Sequence, residues 1–283
     1  MKIAVLSGKG GTGKTFVSVN LATNIKGSTY VDCDVEEPNG RIFLNPKVNK
    51  ESVVTTKIPS FDEKLCNGCR ACVDFCKFNA LAFIKSKPIL FTDVCHACGG
   101  CAMVCKANAI TEADRPVGKL EVGTSKSNNI NVITGILNLG EASSIPVIKA
   151  CISEADNISE KDSTTIIDCP PGSSCSVMES ISTADFCIIV VEGTSFGFHN
   201  FCMVHKLVKI LGKPCGIVIN KFEEDYPPLV EYCQSNSVNI LAKIPYKKSA
   251  STLISTGHII SEEDSEYKDL FEALIHKLGG EAN

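Results

Sequence analysis

Two groups of residues have the types and spacing that chemistry requires. The first, Gly8-Lys9-Gly10-Gly11-Thr12-Gly13-Lys14-Thr15, fits the pattern G-x-x-x-x-G-K-[ST]. Its glycines let consecutive backbone N–H groups converge on phosphate oxygens without side-chain obstruction. A helix opening directly after the loop adds the positive end of its dipole. Lys14 in such a loop reaches the β/γ-phosphates of a nucleotide, and the Thr15 hydroxyl ligates Mg²⁺. An idle glycine-rich turn is the bland alternative; a strand before the motif and a helix after it argue against that alternative.

The second group is made of cysteines. Cys66, Cys69, Cys72 and Cys76 read C-x₂-C-x₂-C-x₃-C, and Cys95, Cys98, Cys101 and Cys105 repeat the run with a displacement of 29. The tetrapeptide after each run also recurs, as Lys77-Phe78-Asn79-Ala80 and Lys106-Ala107-Asn108-Ala109. This is the spacing of bacterial ferredoxins with two [4Fe–4S] clusters, where three close thiolates wrap one cube and the fourth serves the other. It groups Cys66, Cys69 and Cys72 with Cys105, and Cys95, Cys98 and Cys101 with Cys76. Zinc sites instead pair two close cysteines with two distant ligands, a poorer fit to four in one short run. Ferredoxins carry proline after the fourth cysteine, whereas Lys77 and Lys106 stand here. His96, inside the second run, reads as an exposed loop residue because four thiolates already suffice.

The elements that must hold these groups follow from hydrophobic patterning. Lys2–Ser7 is a short buried-type strand, and Lys14–Ile25 carries apolar residues at helical spacing. Ser28–Asp34 is a second strand, ending in Asp32 and Asp34. Further strand-like runs are Thr164–Cys169, Phe186–Val191, Pro214–Asn220 and Asn239–Pro245, with helix-compatible stretches between them. Such alternation predicts a parallel sheet covered by helices. The cysteine-rich block therefore interrupts one α/β domain. Carboxylates at the carboxyl ends of strands, Asp34 and Asp168, would stand beside the glycine loop, where ligands of open α/β sheets bind.

Composition narrows the class. The chain has 283 residues, is 44% hydrophobic and carries a net charge of −4, which argues against disorder and against nucleic acid or an anionic membrane as partner. Its 16 cysteines in a disulfide framework would need a secretory signal, but the apolar run near the start spans only Ile3 to Leu6. Clustered thiols in a reducing, cytoplasmic setting read as cluster ligands. No run approaches the roughly 18 apolar residues of a membrane span. Cys187 and Cys215 lie in apolar strands and read as core residues.

Lys9 gains meaning from a resemblance. K-G-G-x-G-K-T over residues 9–15 resembles the deviant Walker A signature of the MinD/ParA/Mrp and nitrogenase-iron-protein ATPases. The resemblance implies that Lys9 reaches the partner subunit's ATP, like an arginine finger in trans, in a nucleotide-dependent homodimer or heterodimer with a paralogue. It also implies that Asp34 orients the attacking water, that Asp168 holds Mg²⁺, and that Asn220 and Pro245 contact the adenine. Asp32 would only hydrogen-bond the loop. Cys175, seven residues after Asp168, falls where the nitrogenase iron protein has an intersubunit cluster ligand; Cys151 is the one weak candidate for a second such ligand, and an ordinary cysteine remains the simpler reading.

The chain as a whole resembles MinD-superfamily ATPases with an inserted ferredoxin. That implies an α/β, mostly parallel-sheet P-loop NTPase domain over 1–60 and 118–283, with a small α+β ferredoxin-like module over 61–117. The expected function is an ATPase whose nucleotide cycle gates electron transfer through two [4Fe–4S] clusters to a redox partner. The alternative is ATP-dependent assembly of clusters or metal cofactors for an acceptor protein. Spatial positioning in the manner of MinD would need a membrane-targeting helix; Glu266–Leu278 has few cations and reads as a packed terminal helix instead.

Overall fold

The computed structural model describes residues 1–126, 129–159 and 163–281. In chain order the first half contains β1 (Lys2–Ser7), α1 (Lys14–Asn24), β2 (Thr29–Asp32), α2 (Gly40–Leu44) and β3 (Pro46–Phe61). The cysteine-rich segment follows with α3 (Ala71–Phe75), β4 (Leu81–Ile84), β5 (Lys87–Leu90) and α4 (Gly100–Met103). Then come β6 (Ile110–Ser125), β7 (Asn131–Leu137), α5 (Ile145–Ile158), β8 (Thr165–Asp168) and α6 (Cys175–Ile181). The chain continues through β9 (Phe186–Glu192), α7 (Ser195–Ile210), β10 (Cys215–Phe222), α8 (Pro227–Ser235) and β11 (Asn239–Pro245). Helices α9 (Lys248–Ser255), α10 (Ile260–Glu263) and α11 (Ser265–Glu281) close it.

One sheet of nine strands runs in the order β11-β10-β9-β1-β8-β2-β7-β6-β3. Pairing is parallel from β11 to β7 and turns antiparallel at β6, which pairs that way with both β7 and β3. The central strands are apolar on both faces, as a sheet covered on both sides demands. On one face Val147, Cys151, Val177, Phe201 and Leu229 of α5 to α8 pack on Ala4, Leu6 and Ile167. On the other, Phe16 and Leu21 of α1 and Phe271, Leu274 and Leu278 of α11 pack on Ile3, Val5 and Ile188. The terminal helix is thus a packed core element. Among the described residues no helix is long and apolar enough to cross a membrane.

Strands β3 and β6 are long for a reason. Their inner halves belong to the sheet, where Gly118–Thr124 pairs with β7. Their outer halves pair only with each other, Thr55–Phe61 against Ile110–Pro116, and carry the cysteine-rich segment at the tip. Val54 pairs with Gly118 but Thr55 with Pro116, so Val117 is the extra residue of a β-bulge. The ribbon leaves the sheet at this bulge, so Thr55–Phe61 of β3 pair only with β6.

Candidate functional site

The carboxyl end of β1 runs into the glycine loop, and α1 begins at Lys14. Gly13 has φ 99°, and a Cβ there would meet the Asn220 amide nitrogen at 2.1 Å, so only glycine fits this turn. The Asn220 amide donates to the Thr12 carbonyl at 2.8 Å, bracing the loop from the end of β10. The Thr12 hydroxyl itself donates to the Lys9 carbonyl at 3.1 Å. The backbone N–H groups at the start of α1 have no helical acceptor and face the loop's mouth.

Around Lys14 the sheet gathers its carboxylates. Lys14 Nζ lies 2.7 Å from Asp168 Oδ1 at the end of β8 and 3.3 Å from Asp34 Oδ2 just beyond β2. Ser18 Oγ, one turn along α1, is 3.0 Å from the same Asp168 oxygen. The Tyr30 hydroxyl donates to Asp168 Oδ2 at 2.9 Å. Burial disfavours the Lys14 ammonium, but Asp168 and then Asp34 outweigh it and hold its pKa above the usual lysine value. Asp34 is pushed up by burial, with Lys14 opposing the shift. Asp32 accepts from the backbone N–H groups of Gly40 at 3.0 Å and Asp34 at 3.2 Å. Burial, then the neighbouring Asp168, push its carboxyl well above the ordinary range. Asp32 therefore holds the shape of the segment after β2; its backbone partners are Asp34 and Gly40 and not the glycine loop, the expected partner.

Lys14 and Asp34 line an open cleft of about 990 Å³ together with Gly10, Gly11, Gly13 and Thr15, with the loop 137–141 along one side, while Asp168, Ser18, Tyr30 and Asp32 are buried behind them. Neither Asn220 nor Pro245 lines this cleft. The Asn220 amide is committed to the loop, and the Pro245 carbonyl accepts from the Tyr267 hydroxyl at 2.8 Å.

Lys9 points elsewhere. Its Nζ is 2.6 Å from Glu192 Oε2 and 5.3 Å from the centre of the Phe196 ring. Lys221 holds the other Glu192 oxygen at 2.6 Å and donates to the Gly11 carbonyl at 2.9 Å. Burial pushes the Glu192 carboxyl up, but Lys221 and Lys9 prevail and hold it below its usual range. Tyr30, Ser18, Glu192 and Lys221 were missed in reading the sequence. Two of them left a signal: Tyr30 shares a strand face with Asp32, and Ser18 lies one turn from Lys14 on α1.

At the ribbon's tip the eight cysteines surround two cavities. One is lined by Cys66, Cys69, Cys72 and Cys105, the other by Cys76, Cys95, Cys98 and Cys101. Each cavity thus takes three cysteines from one run and the fourth from the other. The backbone repeats with the sequence: Gly68 and Ala97, Arg70 and Gly99, and Asn79 and Asn108 all have positive φ, and each pair is 29 residues apart. Such residues turn the chain sharply enough to aim three thiols inward. Phe75 packs over Gly100, where a Cβ would meet the ring at 2.2 Å, so α3 and α4 lie close together. Cys105 Sγ accepts from the Ala109 N–H at 3.3 Å. Among the described residues no three His, Cys, Asp or Glu side chains close on one point as a single ion requires. His96 is exposed and stacks on Phe78 at 4.0 Å. Cys151 is fully buried, its thiol donating to the Asp32 carbonyl at 3.8 Å, so it offers no intersubunit ligand; Cys175 is exposed at the start of α6.

The comparisons agree with this architecture. Two uncharacterized proteins of Methanocaldococcus jannaschii are similar to the chain. One is 30% identical over 288 residues, covering 98% of this chain and 96% of the relative; the other is 30% identical over 233 residues, covering 78% and 80%. The cell division ATPase MinD of Pyrococcus furiosus has the same fold, with a TM-score of 0.62 at 18% identity over 99% of this chain and 98% of that one. MinD of Pyrococcus horikoshii, solved with Mg-ADP, superposes with a TM-score of 0.59 at 20% identity over 100% and 98%. The family described as the CobQ/CobB/MinD/ParA nucleotide binding domain matches residues 3–260. That span takes in the glycine loop, both strand-end carboxylates and the loop closing the cleft, and the protein belongs to this nucleotide-binding family.

Proposed function

We propose that the protein is an ATPase in which a nucleotide-dependent dimer gates electron transfer through two [4Fe–4S] clusters. The observation that carries the reading is the pair of thiol-lined cavities, each with four cysteines and each at the end of a ribbon grown from the nucleotide domain's own sheet. Four thiolates spread around a cavity suit the body of a cube better than the tight tetrahedron of zinc. The module over 61–117 would hold the clusters and supply one-electron chemistry when loaded. The chain's own residues do the rest. Lys14, the loop N–H groups and the start of α1 bind the phosphates; Asp168 and Thr15 hold Mg²⁺; Asp34 accepts a hydrogen bond from the attacking water.

Lys9 supports the dimer. Within one subunit it is held at the flank by Glu192 and does not line its own cleft. A second subunit facing this flank would receive it, as the family resemblance implies. The dimer would form with a second copy or with a paralogue; Methanocaldococcus jannaschii has two relatives of this chain. We place the protein in the cytoplasm, where thiols stay reduced.

A second reading, ATP-dependent delivery of a cluster or metal cofactor, is favoured by the exposure of Cys69 and Cys98, one in each quartet. Anaerobic purification with iron and sulfide analysis tests the shared premise. Two cubes give close to eight irons and eight sulfides per chain. Stoichiometric zinc without iron after anaerobic reconstitution would refute both readings. A cluster that leaves the protein on ATP addition, without redox cycling, would favour delivery.

A further inference from the structure

We infer that the loop 138–141 and Arg115 form a strut through which the nucleotide cleft and the cysteine-bearing ribbon are mechanically joined. The inference rests on the nucleotide reading of the cleft. The shortest route between the two parts is not along the chain. From Asp34 the backbone must pass through α2 and all of β3 before it reaches the first cysteine. Across space the path is brief. Val35, next to Asp34, is buried, and its carbonyl accepts from the Leu137 N–H at 2.9 Å. The next residue, Asn138, donates its backbone N–H to the Val117 carbonyl at 2.9 Å and its amide to the Pro116 carbonyl at 3.4 Å. Glu141 then grips Arg115 with both oxygens, at 3.0 and 2.5 Å.

Each end of this path sits where movement would count. Leu137 to Glu141 line the same cleft as Lys14 and Asp34, so a nucleotide there touches the loop directly. Arg115, Pro116 and Val117 are the root of the ribbon. Val117 is the bulged residue, buried in the core, and Pro116 has no N–H to give to a ladder, so the continuous pairing of the strand is interrupted at this place. From the root, β6 runs as one paired strand to Ile110, and the Asp62 N–H closes its tip on the Ala109 carbonyl at 2.8 Å. Cys105, a member of the first quartet, lies one turn further.

The Arg115–Glu141 pair is also built unlike a surface ion pair. The two side chains are only 19% and 8% exposed, and the planar fork meets the carboxylate with two hydrogen bonds, a geometry that fixes orientation as well as distance. The third donor, Arg115 Nε, is buried without an acceptor. An unsatisfied buried donor is uncommon. Arg115 is thus a positioning residue: it lies outside the cleft and acts on it through Glu141.

Hydrogen–deuterium exchange of the full chain, with and without a non-hydrolysable ATP analogue and Mg²⁺, tests the strut. In the wild type the analogue should slow exchange both in residues 8–20 and in residues 110–118. In Arg115→Gln the first protection should remain and the second be lost. Arg115→Lys, which keeps the charge but not the fork, should lose it too and carries the test if the first variant does not fold. A merely structural role for Arg115 would raise exchange in 110–118 equally with and without analogue, leaving the nucleotide-dependent difference intact, and that result overturns the inference. No analogue effect on 110–118 in the wild type, with 8–20 protected, overturns it while sparing the nucleotide reading. No protection of 8–20 overturns both.

Discussion

Tyr30→Phe isolates what the strand beneath the cleft contributes. The tyrosine is fully buried in β2 and its hydroxyl donates to Asp168 Oδ2 at 2.9 Å, one of three donors on that carboxylate beside Lys14 and Ser18. Phenylalanine keeps the ring, so no cavity opens, and the loss is confined to one hydrogen bond on a buried charge. Bonds of that kind contribute about 1.5–3 kcal/mol. At 2–4 °C per kcal/mol for a large domain, the melting temperature should fall by roughly 3–12 °C. Burial and the nearby Asp168 hold the Tyr30 phenol well above its ordinary pKa, so the donor is present at any working pH. Thr29→Val, one residue earlier, is the internal control. Among the described residues the Thr29 hydroxyl is buried with no hydrogen-bond partner, and its removal should be neutral or stabilising. Thermal melts of the two variants, with and without Mg²⁺ and an ATP analogue, decide the matter. Tyr30→Phe should also gain less from the analogue, since Asp168 is less firmly placed for the metal. If Tyr30→Phe melts no lower than Thr29→Val, the reasoning about this carboxylate is wrong.

Two further outcomes are expected at the same cleft. Lys14→Ala should abolish nucleotide binding, whereas Lys9→Ala should bind ATP normally in a filter or fluorescence assay and fail to hydrolyse it; hydrolysis at the wild-type rate would end the trans role of Lys9. Asp34 is the stronger acceptor, and able to take a proton from water, only when ionised, and burial raises its pKa, with Lys14 only partly opposing. As pH falls, ATP turnover should therefore fail above the ordinary carboxylate range, and this acid limb should vanish in the residual activity of Asp34→Asn. An unchanged limb in that variant would assign it to another group.

Much of this was legible because it is local. The glycine loop, Lys14 and the two cysteine runs are short patterns whose chemistry fixes their own geometry, and the central strands announce themselves as unbroken apolar runs. What the sequence hid depends on distance. Glu192 meets Lys9 across 183 positions, and nothing near either residue hints at the other. The ribbon was hidden for a different reason: β3 reads Pro-Lys-Val-Asn-Lys-Glu-Ser over its first residues and is largely exposed at the sheet edge, without the alternation that marks a half-buried strand. No strand is assigned from sequence to 46–61 or 110–125; pairing between segments about sixty residues apart specifies both. Asn220 ends a strand beside the glycine loop, and the use of its amide nitrogen to brace that loop was not legible. Strand-end position predicts proximity to the nucleotide, not which way a side chain is used.

The central claim is that nucleotide and clusters are coupled in one molecule. Linkage makes it measurable, because a nucleotide that binds the reduced and oxidised protein differently must shift the cluster potential by the same free energy. A tenfold difference in affinity corresponds to about 59 mV for a one-electron couple. A redox titration followed by EPR, run on the anaerobically purified protein with and without a non-hydrolysable ATP analogue, reads that shift directly. The account predicts midpoints that move on adding the analogue and do not move in Lys14→Ala. Identical midpoints with and without analogue in the wild type would contradict nucleotide-gated electron transfer in this protein.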